Sequence, residues 1–326
     1  MKNSILTIVL FLLVGLSAKG QILQQYSLWN QNHYLINPAS AGNTDRFESA
    51  IGFRQQWVGV SDAPQSYFAT GHSVLNRPKS FQKSALYISR TAGTSSTKTK
   101  AGRPFVKHAL GGTLNSGENG AFKKTQAMLT YALHLPIKND LYLSLGVSAG
   151  LSNFGFNESK AQVLFDNDPT YNAYAASANS NIFNADAGFY LYSDRFFFGY
   201  TGKQILRNQL DLADVSAEND PTSLEMEHII MGGYNIDLTN DFRLTPNLLV
   251  RNSVNLPTTL EINGTVTFKE IFSAGITYRS EDAAAITLGM QFNHMLRAGY
   301  SYDYTLSEIR ERSSGSHEII IGLTLF

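Results

Sequence analysis

Cysteine is absent from all 326 residues, which excludes disulfides and thiolate metal sites. Charge is scarce too. Asp, Glu, Lys and Arg make up 16% of the chain, against roughly 25% in soluble domains. The 26 basic and 26 acidic residues cancel, so nothing in the charge balance draws the chain to nucleic acid. Beyond residue 20 no apolar run approaches the roughly 20 residues that a membrane-spanning helix needs, and mean hydropathy is −0.15. Any membrane role after that point must be built from strands.

What is present fits strands of that kind. Aromatics reach 12%, mostly Phe and Tyr, and glycine is frequent. A transmembrane barrel combines such features because each strand averages a lipid-facing side with a wet side. Alternation is plainest at 258–269, where Leu260, Ile262, Val266 and Phe268 oppose Glu261, Asn263, Thr265 and Thr267. The same pattern runs through 283–292, 296–304 and 141–149. In the last segment Ile319, Ile321, Leu323 and Leu325 form an apolar parity against Glu318, Ile320, Gly322 and Thr324. Alternation of period two with turn chemistry between segments predicts strands. They fall near 46–58, 65–75, 108–117, 121–136, 139–156, 183–193, 195–205, 224–238, 241–254, 258–269, 271–280, 282–293, 294–304 and 315–326.

The polar sides of these segments are mostly Thr, Ser, Gly and Asn. A soluble β-sandwich, the competing architecture, would carry Lys and Glu there. The expected fold is therefore an all-β, transmembrane antiparallel barrel of about fourteen strands. With the start of the first strand on the periplasmic side, the short connections at 137–139, 194, 239–240, 270 and 293–294 are periplasmic, and the longer ones at 157–182, 206–223 and 305–314 lie outside. That asymmetry is usual for such barrels. The basic, Ser/Thr-rich stretch 76–107 breaks it, being long and on the periplasmic side.

The chain begins with a secretory-signal pattern: Lys2, an apolar run from Ile5 to Leu16, and Ala18-Lys19-Gly20 at the cleavage position. The expected organisation is a signal peptide at 1–20, an extended periplasmic strap at 21–45 and the barrel at 46–326. The strap segment is polar and aromatic, with no alternation. It either crosses the periplasmic mouth or touches a periplasmic component through Trp29, Tyr34, Asn37 and Pro38.

Particular residues then matter more than periodicity. In order come Asn37-Pro38-Ala39 with Ala41-Gly42, Arg54-Gln55-Gln56-Trp57-Val58-Gly59, Ala63-Pro64-Gln65-Ser66 and Tyr131-Ala132-Leu133-His134. Further on stand Pro246-Asn247-Leu248-Leu249-Val250, Tyr278-Arg279, Gly299-Tyr300-Ser301-Tyr302-Asp303-Tyr304 and Gly315-Ser316-His317-Glu318-Ile319. This ordered set, from about residue 22 to the end, resembles the PorP/SprF family of Bacteroidota outer-membrane proteins. Ser66 departs from an expected Thr, and 79–104 looks like an insertion. The resemblance implies an outer-membrane location and a role with the type IX secretion and gliding machinery. Its implied partners are type IX components and a secreted surface protein, such as a large adhesin with a C-terminal sorting domain. Outer-membrane lipid is the surrounding medium.

Parity points Arg54 and Glu318 into the lumen, and closure of the barrel must pair the first strand with the last. The two are expected to approach each other, alone or in a polar network with Gln56, Arg251, Glu261, Arg279, Arg297 and Asp303, because partly desolvated lumen charges need partners. Such a network either fills the lumen and sets register or docks a secreted polypeptide. Trp57, Tyr300, Tyr302 and Tyr304 suit an aromatic belt.

No catalytic or metal constellation is expected, and no cofactor. The seven histidines are scattered, no Gly-x-Ser-x-Gly elbow occurs, and Asp166, Asp168 and Asp186 lack the density of a calcium loop. The preferred function is a non-enzymatic barrel that assists secretion or surface anchoring of a partner. The alternatives are a passive porin-like channel and a membrane-embedded hydrolase.

Overall fold

The computed structural model describes residues 24–76, 105–138, 140–161, 169–176, 180–207, 225–254 and 256–325. The signal segment 1–20 and most of the 76–107 stretch lie outside them. The wall consists of β1 (Phe47–Gln55), β2 (Gln65–Val74), β3 (Lys107–Asn119), β4 (Phe122–Pro136), β5 (Tyr142–Phe156), β6 (Ser180–Tyr192), β7 (Phe196–Lys203), β8 (Glu227–Tyr234), β9 (Ile236–Asp237), β10 (Phe242–Ser253), β11 (Leu256–Phe268), β12 (Phe272–Arg279), β13 (Ala283–Gln291), β14 (Leu296–Thr305) and β15 (Ser316–Leu325). β8 and β9 are one stave interrupted at Asn235, since both pair with β10. Fifteen segments thus form fourteen staves.

Every stave pairs antiparallel with its sequence neighbour, and β15 pairs with β1 to close the ring. With all edges paired, no backbone donor row faces lipid, which is the condition for crossing a bilayer with strands. The apolar parities face outward. Leu129 is 77% exposed and Ile276 71%, while their neighbours Thr130 and Thr277 are buried. Large aliphatic groups so exposed all round a cylinder require a hydrocarbon environment. The expected fourteen-strand barrel is the observed one.

Residues 24–45 depart from the expected strap. They form three short 3₁₀ turns, Trp29–Gln31, His33–Leu35 and Pro38–Ser40, and they run inside the barrel. Gln24 lies at the long-loop end, where its carbonyl accepts from Arg251 at 3.1 Å near the end of β10. Asp45 lies at the opposite end, 2.7 Å from Lys107 at the start of β3. The segment therefore traverses the lumen once, from outer mouth to periplasmic mouth, before entering β1. Extended geometry fails because its polar groups are satisfied by turns. Asn37, for instance, accepts from the Ala39 N–H at 2.9 Å and is followed by Pro38 at the first helical position.

This plug supplies the centre of the core. Trp29, Ile36 and Ala39 pack with Tyr190, Ile229, Met231 and Leu249. Tyr26, Leu28 and Leu35 pack with Ala50, Phe68 and Ile320. Tyr34 and Ala41 pack with Val74, Ala109 and Ala132. Each large apolar side chain taken from water contributes about 1.5–3 kcal/mol, so the seated plug is much the more stable arrangement. The wall is shaped to receive it: a Cβ on Gly146 would lie 2.4 Å from the Cα of Ala39. Only glycine permits that approach.

Candidate functional site: the plugged lumen

The polar interior concentrates near the outer mouth, where β1, β12 and β14 end and β11 and β15 begin. Arg54 and Glu318 are register partners across the closing seam and form an ion pair of 3.1 Å. Arg54 also binds Asp303 at 2.8 Å. Arg279 joins Glu261 at 2.8 Å, Asp282 at 2.9 Å and Asp303 at 3.5 Å. All but Asp282 are essentially without solvent access. In such a place desolvation offsets most of the Coulomb gain, so the cluster acts chiefly by penalising any arrangement that separates the partners.

The plug completes the cluster. Ser27 sits at its middle: the hydroxyl donates to Asp303 at 2.6 Å and accepts from Arg54 at 3.0 Å and Arg279 at 2.8 Å. The Glu318 carboxylate accepts from two successive plug amides, Ser27 at 2.6 Å and Leu28 at 3.2 Å. The Trp29 indole N–H donates to Glu261. One buried carboxylate accepting backbone and guanidinium donors together is a strong, directional contact.

The remaining expected members lie elsewhere. Arg251 belongs to a neighbouring group, 3.6 Å from Glu227. Arg297 is lower in the barrel and donates to the Gln31 carbonyl at 3.3 Å. Gln56 is buried just past the end of β1, its backbone N–H donating to the Pro64 carbonyl at 2.9 Å. The plug bonds Arg54, Arg251, Glu261, Arg279, Arg297, Asp303 and Glu318, so a secreted chain docking on them would have to compete with it. Trp29, Tyr34, Asn37 and Pro38, expected at a periplasmic contact, lie inside the barrel. All four are buried against the inner wall, with the Tyr34 hydroxyl on Thr130 at 2.7 Å and the Asn37 amide on the Phe189 and Tyr200 carbonyls at 2.9 and 3.3 Å. No periplasmic protein can touch them while the plug is seated.

Two histidines missed as site residues hold the periplasmic half of the plug. His134 Nε2 lies 2.7 Å from the Ala41 carbonyl, and its Nδ1 lies 3.0 Å from the Tyr192 hydroxyl. A carbonyl can only accept, so a neutral His134 donates from Nε2 and accepts at Nδ1. His72 Nδ1 accepts from the Gly42 N–H at 3.0 Å. The available signal was parity: both are on the inward side of their strands. On the opposite, outward side, His108, His228 and His317 each meet a tyrosine hydroxyl on the adjacent strand, at 2.7–2.8 Å. Among the described residues no His, Asp and Glu cluster is arranged to hold a metal ion.

At the outer mouth a helix α1 (Pro169–Ala176) stands over the wall. Its Tyr174 packs on Phe122 and Phe156 with ring centroids 5.1 and 5.7 Å away. Lys160, on the same loop, lies 3.7 Å from Asp62 and 3.8 Å from Glu118.

Comparison with known proteins places the sequence in a family. No curated protein is similar enough to match. Among solved structures, the toluene transporter TbuX of Ralstonia pickettii superposes with a TM-score of 0.46 at 9% identity, covering 89% of this chain and 92% of that one. The toluene transporter TodX of Pseudomonas putida gives 0.45 at 8%, over 90% and 92%. A FadL homologue of Pseudomonas aeruginosa gives 0.45 at 11%, over 88% and 91%. Likenesses this distant carry nothing about cargo. The model of the type IX secretion system membrane protein PorP/SprF, by contrast, matches residues 18–323. That match takes in the plug and all fourteen staves: the chain belongs to the PorP/SprF family of type IX secretion, and its barrel is one of the outer membrane.

Proposed function

We propose that the protein is a non-enzymatic outer-membrane anchor that assists secretion or surface retention of a partner protein, such as a large adhesin bearing a C-terminal sorting domain. The observation that carries this reading is the lumen's occupancy by the chain's own residues 24–45. A barrel filled along its axis is poorly suited to conducting solutes and well suited to serving as a rigid base. A partner then meets the outer rim, where α1 and the loop around Lys160 project, rather than the interior charges. Family membership supports the link to type IX secretion, and the packing of the plug counts against a passive porin.

The test is affinity purification of the tagged barrel from native outer membranes, with mass spectrometry and a parallel bilayer recording. A stoichiometric complex with a large secreted protein, lost when the outer loops are exchanged, is the expected result. Porin-sized steady conductance from the pure barrel, without any such complex, would overturn the proposal.

A further inference from the structure

The plug touches every stave. Ala50 and Arg54 of β1, Thr70 and His72 of β2, Gly111 of β3, Thr130 and His134 of β4 and Gly146 of β5 all meet it. So do Tyr190 of β6, Lys203 of β7 and Met231 of β8, followed by Arg251 of β10 and Glu261 of β11. Arg279 of β12, Gly289 of β13, Asp303 of β14 and Glu318 of β15 complete the circuit. No wall strand makes comparable contacts, because each pairs only with its two neighbours.

Direction sharpens the point. The plug is tethered to β1 at the periplasmic mouth and ends at the outer mouth. Were it to enter a finished barrel from its tether, Tyr26, Trp29 and Tyr34 would have to pass the level of Asn37 and Ala39. There the wall fits closely: a Cβ on Gly146 would be 2.4 Å from the Ala39 backbone, and one on Gly188 or Gly199 would be 2.7 Å from the Asn37 side-chain amide. A segment seated before the ring closes meets no such constriction, because the strands then gather around it.

The seam itself is pinned by the plug. β1 and β15, at opposite ends of the barrel sequence, meet at Arg54 and Glu318, and both bind Ser27. Asp303 of β14, the neighbour of β15, and Arg279 of β12, three staves from β15, bind the same hydroxyl. We propose that the N-terminal segment is an internal assembly template, around which the strands gather and on which Ser27 positions the first and last strands for closure.

Refolding of the full-length protein from urea into lipid vesicles tests this, with closure read as the heat-modifiable gel band. In a Trp57→Phe variant Trp29 is the one remaining indole, since the chain has two tryptophans. A template predicts that Trp29 becomes shielded from an aqueous quencher before the closed band appears. It also predicts that Ser27→Ala slows closure by about tenfold while leaving the unfolding rate nearly unchanged, because contacts present in the transition state act on the folding rate. Tyr34→Phe, which removes only the hydroxyl on Thr130, is the milder variant should Ser27→Ala fail to close, and slows closure by about fivefold. Shielding of Trp29 after the band forms, or variants that close at the native rate and merely unfold faster, would show a plug that docks late and would overturn the proposal.

Discussion

Arg54 and Glu318 stand directly opposite each other across the seam between the first and last strands, 3.1 Å apart, with Ser27 bonded to both. They are separated by 264 residues in sequence, and their pairing is where the barrel becomes a closed object. A reversed charge at this point therefore tests closure itself. Arg54→Glu places three carboxylates together in a dry site, and removing one partner of a buried pair costs about 3–5 kcal/mol. The expected outcome is loss of the heat-modifiable band and a lower urea midpoint. The double exchange Arg54→Glu with Glu318→Arg should recover only part of the loss, because the Ser27 and Leu28 amides then lack their acceptor.

Enlarging Gly146 attacks the plug from the wall. A Cβ there would already be 2.4 Å from Ala39, so Gly146→Leu cannot coexist with the seated segment without a backbone shift. Overpacking of this kind costs about 1–3 kcal/mol or more. Bilayer recordings should show higher conductance than the native barrel, since the plug is displaced from the level at which it fits most tightly.

The lipid-facing side is tested at the middle of β4. Leu129 is 77% exposed and lies halfway along the strand. Leu129→Arg should destabilise the barrel in bilayers by about 2–4 kcal/mol, the cost of a cation on the lipid face at the midplane. Unfolding titrations in vesicles measure it. A change near zero would mean that this face is not in hydrocarbon.

Absence of cysteine makes the direction of the plug easy to read. Gln24→Cys should react with a membrane-impermeant maleimide added to intact cells, because residue 24 lies at the outer mouth. Asn240→Cys, in the short turn before β10, should react only after the outer membrane is permeabilised. The opposite pattern would reverse the assigned orientation of the plug.

The wall was legible residue by residue. Alternation at β11, β13, β14 and β15 sorted inward from outward side chains because a strand presents its sides with period two, whatever surrounds it. The same parity placed Arg54, Glu261, Arg279, Asp303 and Glu318 inside. It could not separate Arg297 from that group, since parity says nothing of height along the axis, and Arg297 serves the plug's Gln31 instead. Nor did it show the break at Asn235 between β8 and β9. The Asn37-Pro38 pair carried a turn signal that argued against an extended strap.

The sequence by itself determined the staves: their number, their order, which side of each meets lipid, and the family. Those properties follow from local periodicity and from ordered motifs. Only the tertiary structure decided what fills the cylinder. Residues 24–45 have no periodicity of their own, and their partners are scattered over the entire chain, with Ser27 bound to Glu318 across 291 positions. Such contacts exist only once fourteen staves are brought round a common axis, so the physics that seats the plug is absent from any stretch of sequence taken alone.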